Sequence, residues 1–496
     1  MAKSSSVLSA MKSNPKPDFL ASVARAARRH HVTPYLVGGP VRDSLLNRPC
    51  HDWDFVSQKA HSLSRSVART LRAKLIVLDE QNRIYRVILK KGETTPLLTL
   101  DFAEMQGQTI ERDLKRRDFT INAMAQALDQ TSIIDLFGGH HDLQKKIIRA
   151  VSRKAFQDDP LRILRTFRFA AQFGFSIDPQ TLRWVKAHQT LLGSHPGGVA
   201  RERVREELLK LLSQPNSGPF LISMDTCGLL TTLFPAMEAG RRVGMRYYGK
   251  GGVVKHALQA VVNLEWIFNH LSALAYLNPA PVRQAVKTYI NQPLGGHPRA
   301  TFLKLGALLH DIGKPATAQV IRGRLRFFGH EEIGADIARK TTEQLRFSRQ
   351  ETQAIRSWVQ NHMRPGNLAA AKGVTDKAMA RFFRDLGEDG LGMLLVSLGD
   401  HYTYLARSRW GKGKDSVEAT THRLLERYCL QREKVLPARL INGHALMKKL
   451  RLQSGPLIGK LLDLIQDAQA EGKVKTPGEA LGWARKAISR LKLAPA

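Results

Sequence analysis

The chain has 496 residues, 43% of them hydrophobic, and carries 77 Lys plus Arg against 43 Asp plus Glu, for a formal charge of +34 and a pI near 10.4. That length excludes a single ordinary core and suggests about three domains, while the charge favours a polyanionic partner. No apolar run approaches a spanning length, so nucleic acid fits better than a membrane.

The first seventeen residues bear Ser and Lys without an acid and lack the apolar core of a secretory signal, so they read as a disordered tail. Residues 18–31 read as a short basic helix, and Tyr35–Val37 as an apolar strand broken at Gly38-Gly39. A helical segment then opens with Pro40 in its first position, followed by a strand carrying His51-Asp52-Trp53-Asp54-Phe55-Val56. Glycines allow close approach of a backbone to phosphate, and N–H groups at a helix start attract anions, so Gly38, Gly39 and Arg42 make a triphosphate seat. Strand alternation puts Asp52 and Asp54 on one face and Trp53 in the packing. Two carboxylates roughly 7 Å apart on a strand face can share a pair of Mg²⁺ ions about 3.5 to 4 Å apart, the arrangement of in-line phosphoryl transfer.

Helical spacing continues over 60–73, and LIVL, RIYRVIL and LLTLDFA read as strands, with KKGETTP the hairpin turn between the last two. Alternation sets Asp101 opposite Leu100, as candidate third carboxylate or as a solvated strand end. IIDLFGGHHDLQKKIIRAV supplies a strand, a Gly138-Gly139 turn and a basic helix. At AFQDDPLRILRTFRFAAQFGF a helix opens, with Asp159 as capping acid and Pro160 next. Asp158 and Arg162, four apart, can pair on one face, and Asp159 and Arg162, three apart, can present a donor and acceptor edge.

The segments GGPVRDSLL with DWD, and RRDFTINA at 116–123, resemble the signatures of the class II tRNA nucleotidyltransferase and bacterial poly(A) polymerase family. The resemblance implies an α/β head with a polymerase-beta-like mixed sheet, followed by all-α neck, body and HD domains. It implies catalysis by Asp52, Asp54 and Asp101 with Mg²⁺, and nucleotide contacts from Arg117, Asn122 and Asp118, the last accepting from the ribose 2′-OH. A carboxylate suits that task because a deoxy sugar cannot donate to it. By the same resemblance Asp159 and Arg162 read the Watson–Crick edge of CTP or ATP, Asp158 steadies Arg162, and Arg165 and Arg168 hold phosphates. Asp158 stands where many members have Glu. RERVREELLKLL resembles a further helical motif that amphipathic packing also explains.

The texture at 240–254, RRVGMRYYGKGGVV, reads as a linker, with Tyr247 and Tyr248 as stacking platforms or chance. Beyond it come His256, His310-Asp311 in LLHDIGKP, His330, His362 and Asp400. Their order resembles the HD phosphohydrolase superfamily, which implies an all-helical fold holding one or two divalent ions, Mn²⁺, Ni²⁺, Fe²⁺ or Mg²⁺, that activate water against a phosphoester. The last stretch alternates helices around Gly455-Pro456, and its basic residues suit the phosphates of a tRNA body.

The domain boundaries expected are a basic extension over 1–31, the head over 32–150, a helical neck over 151–245, the HD domain over 246–430 and a basic helical tail over 431–496. The function expected is template-independent addition of C, A or both from CTP and ATP to a tRNA 3′ end. Only about 14 residues, FAEMQGQTIERDLK, separate Asp101 from Arg116, and a short connection there resembles members that add CC alone. A poly(A) polymerase acting on other RNA 3′ ends is the near rival. A metal-dependent phosphohydrolase with an RNA-binding head, and a non-enzymatic RNA-binding module, are rivals of other classes. Cys50, Cys227 and Cys429 form neither a disulfide framework nor a zinc pattern, which leaves the cytoplasm as the expected compartment.

Overall fold

The computed structural model describes residues 18–50, 52–89, 98–193, 198–371, 374–413 and 415–490. The expected N-terminal tail, His51 and the KKGETTP turn fall outside them. The chain divides into two units, one running to Glu207 with Met224–Thr232 and the other comprising Leu208–Ser223 with the chain from Leu233 onward.

The first unit begins with α1 (Asp18–His30), whose apolar stripe of Phe19, Leu20, Val23, Ala26 and Ala27 is buried. Then follow β1 (Tyr35–Val37), α2 (Gly39–Leu45), β2 (Asp52–Ser57), α3 (Ala60–Thr70), β3 (Lys74–Asp79), β4 (Ile84–Leu89), β5 (Leu98–Glu104), α4 (Ile110–Lys115), β6 (Met124–Ala127) and β7 (Ile134–Asp135). One sheet of seven strands takes the order β3-β4-β5-β2-β1-β6-β7. β2 and β5 run parallel while their flanking pairs are antiparallel, so the sheet is mixed as the sequence suggests. The pleat puts Trp53 and Phe55 into the core, where Trp53 meets Phe19 edge-on at 5.0 Å and Phe55 stacks on Phe102 at 5.2 Å.

The helical part of this unit contains α5 (Gly139–Lys145), α6 (Lys154–Asp158), α7 (Arg162–Phe173), α8 (Pro179–His188) and the part of α9 (Arg201–Leu212) up to Glu207. Here the structure corrects one expectation. Asp158 ends α6 and Arg162 begins α7, so they do not share a helix face; Asp159 between them is extended, and its Oδ1 caps the next helix by accepting from Leu161 N at 3.2 Å. Asp158 is exposed, and Arg162 donates instead to the Ala155 carbonyl at 3.1 Å.

The second unit is helical. α10 (Gly252–Asn269), α11 (Arg299–Leu309), α12 (His330–Gln344), α13 (Arg349–Asn361), α14 (Asp376–Leu386) and α15 (Asp389–His401) bury Trp358, Phe302, Phe382 and Tyr402 among them. A capping box from Ser348 and Glu351 fixes the start of α13. The segment expected as a linker is ordered structure: a 3₁₀ stretch at Pro235–Arg241, one helical turn at Met245–Tyr248, then α10. Its Gly252 has φ +53°, and a Cβ there would lie 2.3 Å from the Val243 carbonyl oxygen, so glycine composition here serves tight packing, not flexibility. The tail forms α16 (Gly443–Leu450), α17 (Pro456–Ala470) and α18 (Pro477–Arg490) around Leu446, Leu461, Ile465 and Ala480. Arg381, Arg384 and Lys377 of α14 converge on the buried Asp467 of α17.

Candidate active site and metal cluster

The parallel register of β2 and β5 pairs Asp52 with Thr99 and Asp54 with Asp101. All four side chains therefore share one sheet face. Asp52 is exposed and accepts from Thr99 Oγ1 at 2.6 Å. Asp54 is partly covered, and burial, reinforced by the charges of Asp101 and Asp52 against the counter-pull of Arg117 and Arg42, pushes its carboxyl up to about 6. Asp101 is not a solvated strand end. Arg86, its register partner on β4, holds it through two hydrogen bonds of 2.7 Å. Three carboxylates on one face with one carboxyl raised by its neighbours are what a hard divalent cation relieves, and the donor set is all oxygen, as magnesium requires.

The glycine turn lies beside this face. Gly38 has φ +68° and ψ −119°, open only to glycine, and a Cβ there would fall 3.0 Å from Arg117 Nη1. Its N–H is donated to the Met124 carbonyl at 3.1 Å, so Gly38 shapes the seat without offering a free donor to phosphate. Arg42 is buried and donates to Asn122 Oδ1 at 2.6 Å while pairing with Asp43. Asp118 accepts from Asn122 Nδ2 at 3.0 Å and lies 3.6 Å from Arg165 Nη1. Gly38, Gly39, Arg42, Arg117, Asp118, Asn122 and Arg165 are thus brought together.

Sequence reasoning missed three groups that hold them. Asp113 is fully buried and accepts from Arg116, Arg117 and Gln106 N, which fixes Arg117 and ties down the connection after β5. Glu207 of α9 meets Arg165 at 3.4 Å and Arg168 at 2.6 Å, so RERVREELLKLL does more than pack. Arg203, also on α9, reaches Asp159 at 3.5 Å. Despite burial, Asp118 and Glu207 keep the Arg165 guanidinium above its ordinary value, whereas burial draws Arg162 and Arg168 down. Arg162 Nε is buried with no hydrogen-bond partner among the described residues.

In the second unit every HD residue named from sequence comes together. His256 Nε2 lies 3.2 Å from Asp311 Oδ2 and 3.0 Å from Asp400 Oδ1, and His310 Nε2 lies 3.2 Å from the same Asp311 oxygen. The other Asp311 oxygen faces His330 and His362 at 3.4 and 3.5 Å, and those two Nε2 atoms are 3.2 Å apart. His310, His330 and His362 each point Nδ1 at a carbonyl three residues earlier, at 2.7 Å, which sets the tautomer and turns the Nε2 lone pair inward. Nε2 of His256 and His310 and Oδ1 of Asp311 and Asp400 meet no hydrogen-bond partner among the described residues. Imidazole nitrogens and carboxylate oxygens crowded together fit divalent metal, and they divide into two groups, His256 with His310 and Asp400, and Asp311 with His330 and His362.

Burial would lower the His256 imidazole, but Asp311 and Asp400 raise it to about 9; the surrounding histidines and Lys314 hold Asp311 well below the carboxylate range. Lys314 bridges Asp311 at 2.5 Å and Tyr248 Oη at 2.9 Å, and Tyr248 stacks on His256 at 4.4 Å. Tyr248 therefore belongs to this cluster, while Tyr247 is exposed.

Residues 34–149 match the poly A polymerase head domain, residues 174–240 the probable RNA and SrmB-binding site of polymerase A, and residues 256–405 the HD domain. Over 456 residues the chain is 33% identical to a CC-adding tRNA nucleotidyltransferase of Thermus thermophilus, covering 90% of this chain and 91% of that protein. The chain belongs to the class II tRNA nucleotidyltransferase family. An A-adding tRNA nucleotidyltransferase of Deinococcus radiodurans is 28% identical over 460 residues, covering 91% of this chain and 94% of that one. The CCA-adding enzyme of Thermotoga maritima, solved with tRNA, superposes with a TM-score of 0.64 over 97% of this chain and 98% of its own, at 22% identity, a likeness of fold. This nucleotidyltransferase is thus an enzyme whose head and HD domain both imply metal use. Among the described residues no helix is long and apolar enough to cross a membrane.

Proposed function

We propose that this enzyme extends the 3′ end of tRNA with C from CTP, without a template. The observation that carries the reading is the register placing Asp52, Asp54 and Asp101 on one face beside the Gly38, Arg42, Arg117 and Asn122 cluster. Asp52 and Asp54 would hold Mg²⁺, which when bound neutralises charge on the attacking and leaving oxygens of a phosphoryl transfer. Arg86 orients Asp101 as the third carboxylate. Arg42, Arg117 and Arg168 draw the triphosphate, and Asp118, braced by Asn122 and Arg165, accepts from the ribose 2′-OH. Asp159 and the spare Nε of Arg162 present the base-reading edge, with Asp158 too exposed to steady it.

Addition of CC and not CCA is favoured by the stretch after β5. Met105, Ile110 and Leu114 pack with Val37, Val56 and Ala125, and Asp113 binds both ends, so this connection is short and anchored. Incubating the protein with tRNA lacking its 3′ end and each NTP singly tests the reading. Incorporation from CTP and none from ATP supports it, addition of A after CC makes the enzyme CCA-adding, and A alone on any RNA makes it a poly(A) polymerase.

The HD cluster favours a second activity on the same chain, hydrolysis of 2′,3′-cyclic or monophosphate ends, with Mn²⁺, Ni²⁺, Fe²⁺ or Mg²⁺ in the His and Asp set. Retained nucleotide incorporation in His310→Ala, against its loss in Asp52→Ala plus Asp54→Ala, would separate the two centres. We take residues 32–150 as head, 151–245 as neck, 246–430 as HD domain and 431–496 as a tail whose basic residues meet the tRNA body. Three free cysteines fit a cytoplasmic enzyme.

A further inference from the structure

Between Ala318 and Gly329 the second unit carries a feature that neither centre uses. β8 (Gln319–Ile321) and β9 (Arg324–Arg326) form an antiparallel ribbon with pairs Gln319–Arg326, Val320–Leu325 and Ile321–Arg324, joined to no other strand among those described. Val320 is 73% and the following Phe328 75% exposed. A lone two-stranded ribbon is marginal by itself. The segment AQVIRGRLRFFG holds three arginines and no acid. Arg322, Arg324 and Arg326 are exposed and make no ion pair among the described residues, whereas Arg339, Arg356 and Arg364 nearby in sequence meet Asp336, Glu343 or Asp385. Strand alternation puts Arg324 and Arg326 on one face, about 7 Å apart.

The base of the ribbon is fixed to the HD cluster. The Phe327 carbonyl accepts from His330 Nδ1 at 2.7 Å, and Lys314, paired with Asp311, lies 5.4 Å from the Phe327 ring. We infer that Arg322, Arg324, Arg326 and Phe328 grip a single-stranded RNA segment and lead its end toward this cluster. Arginines meet the phosphates, and an exposed aromatic ring beside them accepts an unstacked base, which a duplex does not offer. An acidic peptide would satisfy the arginines, but the flat ring favours the nucleic acid. Delivery to the cluster rests on the phosphohydrolase reading; the grip itself does not.

The test uses the full chain and a short unstructured RNA with a photoreactive thiouracil next to its 3′ end. Irradiation should yield adducts on residues 318–329, and their yield should fall ~10-fold in Phe328→Ala and at least as far in the triple Arg322→Ala, Arg324→Ala, Arg326→Ala variant. CTP incorporation into tRNA and the circular-dichroism melting curve should be unchanged in both, the latter showing that they fold. Adducts confined to other segments, or unaffected by both variants, would overturn the inference, including in favour of a protein partner. Absence of phosphoester hydrolysis by the Mn²⁺-loaded enzyme would sink the phosphohydrolase reading while the adduct map still decides the ribbon.

Discussion

The head and the HD cluster both crowd carboxylates together, and they resolve the repulsion differently. In the head, Asp52 is open to solvent, Asp54 is raised to about 6, and the nearby cations Arg42, Arg86 and Arg117 are each tied to an acid or amide of the scaffold. The site is oxygen-only and open on one side, as befits a cation that is shared with a triphosphate. In the HD cluster the four histidines and Asp311 are buried and Asp400 is partly covered; three of the histidines have tautomers set by backbone carbonyls, and Asp311 turns one oxygen to each half. That set offers three side chains to each of two candidate positions. On the function proposed above, the first centre would receive metal with its substrate and the second would keep metal resident.

The largest effect is expected at Asp54, whose carboxylate has no hydrogen-bond partner among the described residues. Asp54→Asn should lower CTP incorporation roughly 10³-fold or more, since several kcal/mol of transition-state charge stabilisation goes with the ion it holds. The same variant should leave metal retained by the HD cluster unchanged, read by elemental analysis after dialysis. Conversely, Asp311→Asn should strip that resident metal while incorporation stays at the wild-type rate. A parallel loss of incorporation would mean that the two centres act as one.

A smaller effect is expected from a group that touches no ligand. Glu207→Gln removes the charge that pairs with Arg165 and Arg168 and weakens the hydrogen bond from Arg165, and KM for CTP should rise about tenfold with little change in kcat. If kcat alone falls, Glu207 acts on the reacting atoms and not through nucleotide placement.

The smallest effect is on stability. Asp54 titrates near 6 when folded against an ordinary value of 3.8, so the folded state binds more protons between those values. Stability of the metal-free protein should therefore rise as pH falls from 8 to 5, and Asp54→Asn should melt a few degrees higher than wild type at pH 8 in EDTA and by roughly half as much at pH 5. Magnesium should narrow the gap at pH 8.

What could be read from sequence depended on how locally each feature is encoded. Asp52 and Asp54 share a face because alternation is a property of one strand, and the HD ligands are recognisable by residue type and order. Arg86 was hidden because its partner, Asp101, is set by the β4–β5 register, which no local pattern displays. Glu207 is remote in sequence from Arg165, and its helix has an amphipathic pattern that accounts for itself. The expected Asp158–Arg162 pair failed because four-residue spacing matters only inside one helix, and Asp159 ends one before Pro160 begins the next turn. Glycines at 240–254 read as a linker, yet Gly252 is there because the backbone comes too close for a side chain, and that packing brings Tyr248 onto His256.

The most direct test of the central claim is extension of tRNA lacking its 3′ end, followed nucleotide by nucleotide with CTP, with ATP and with both, in wild type, Asp52→Ala plus Asp54→Ala, and His310→Ala. The account predicts CC from CTP in wild type and His310→Ala, nothing further when ATP is added, and no extension in the double variant. Addition of A alone, or extension surviving loss of both head carboxylates, would contradict it.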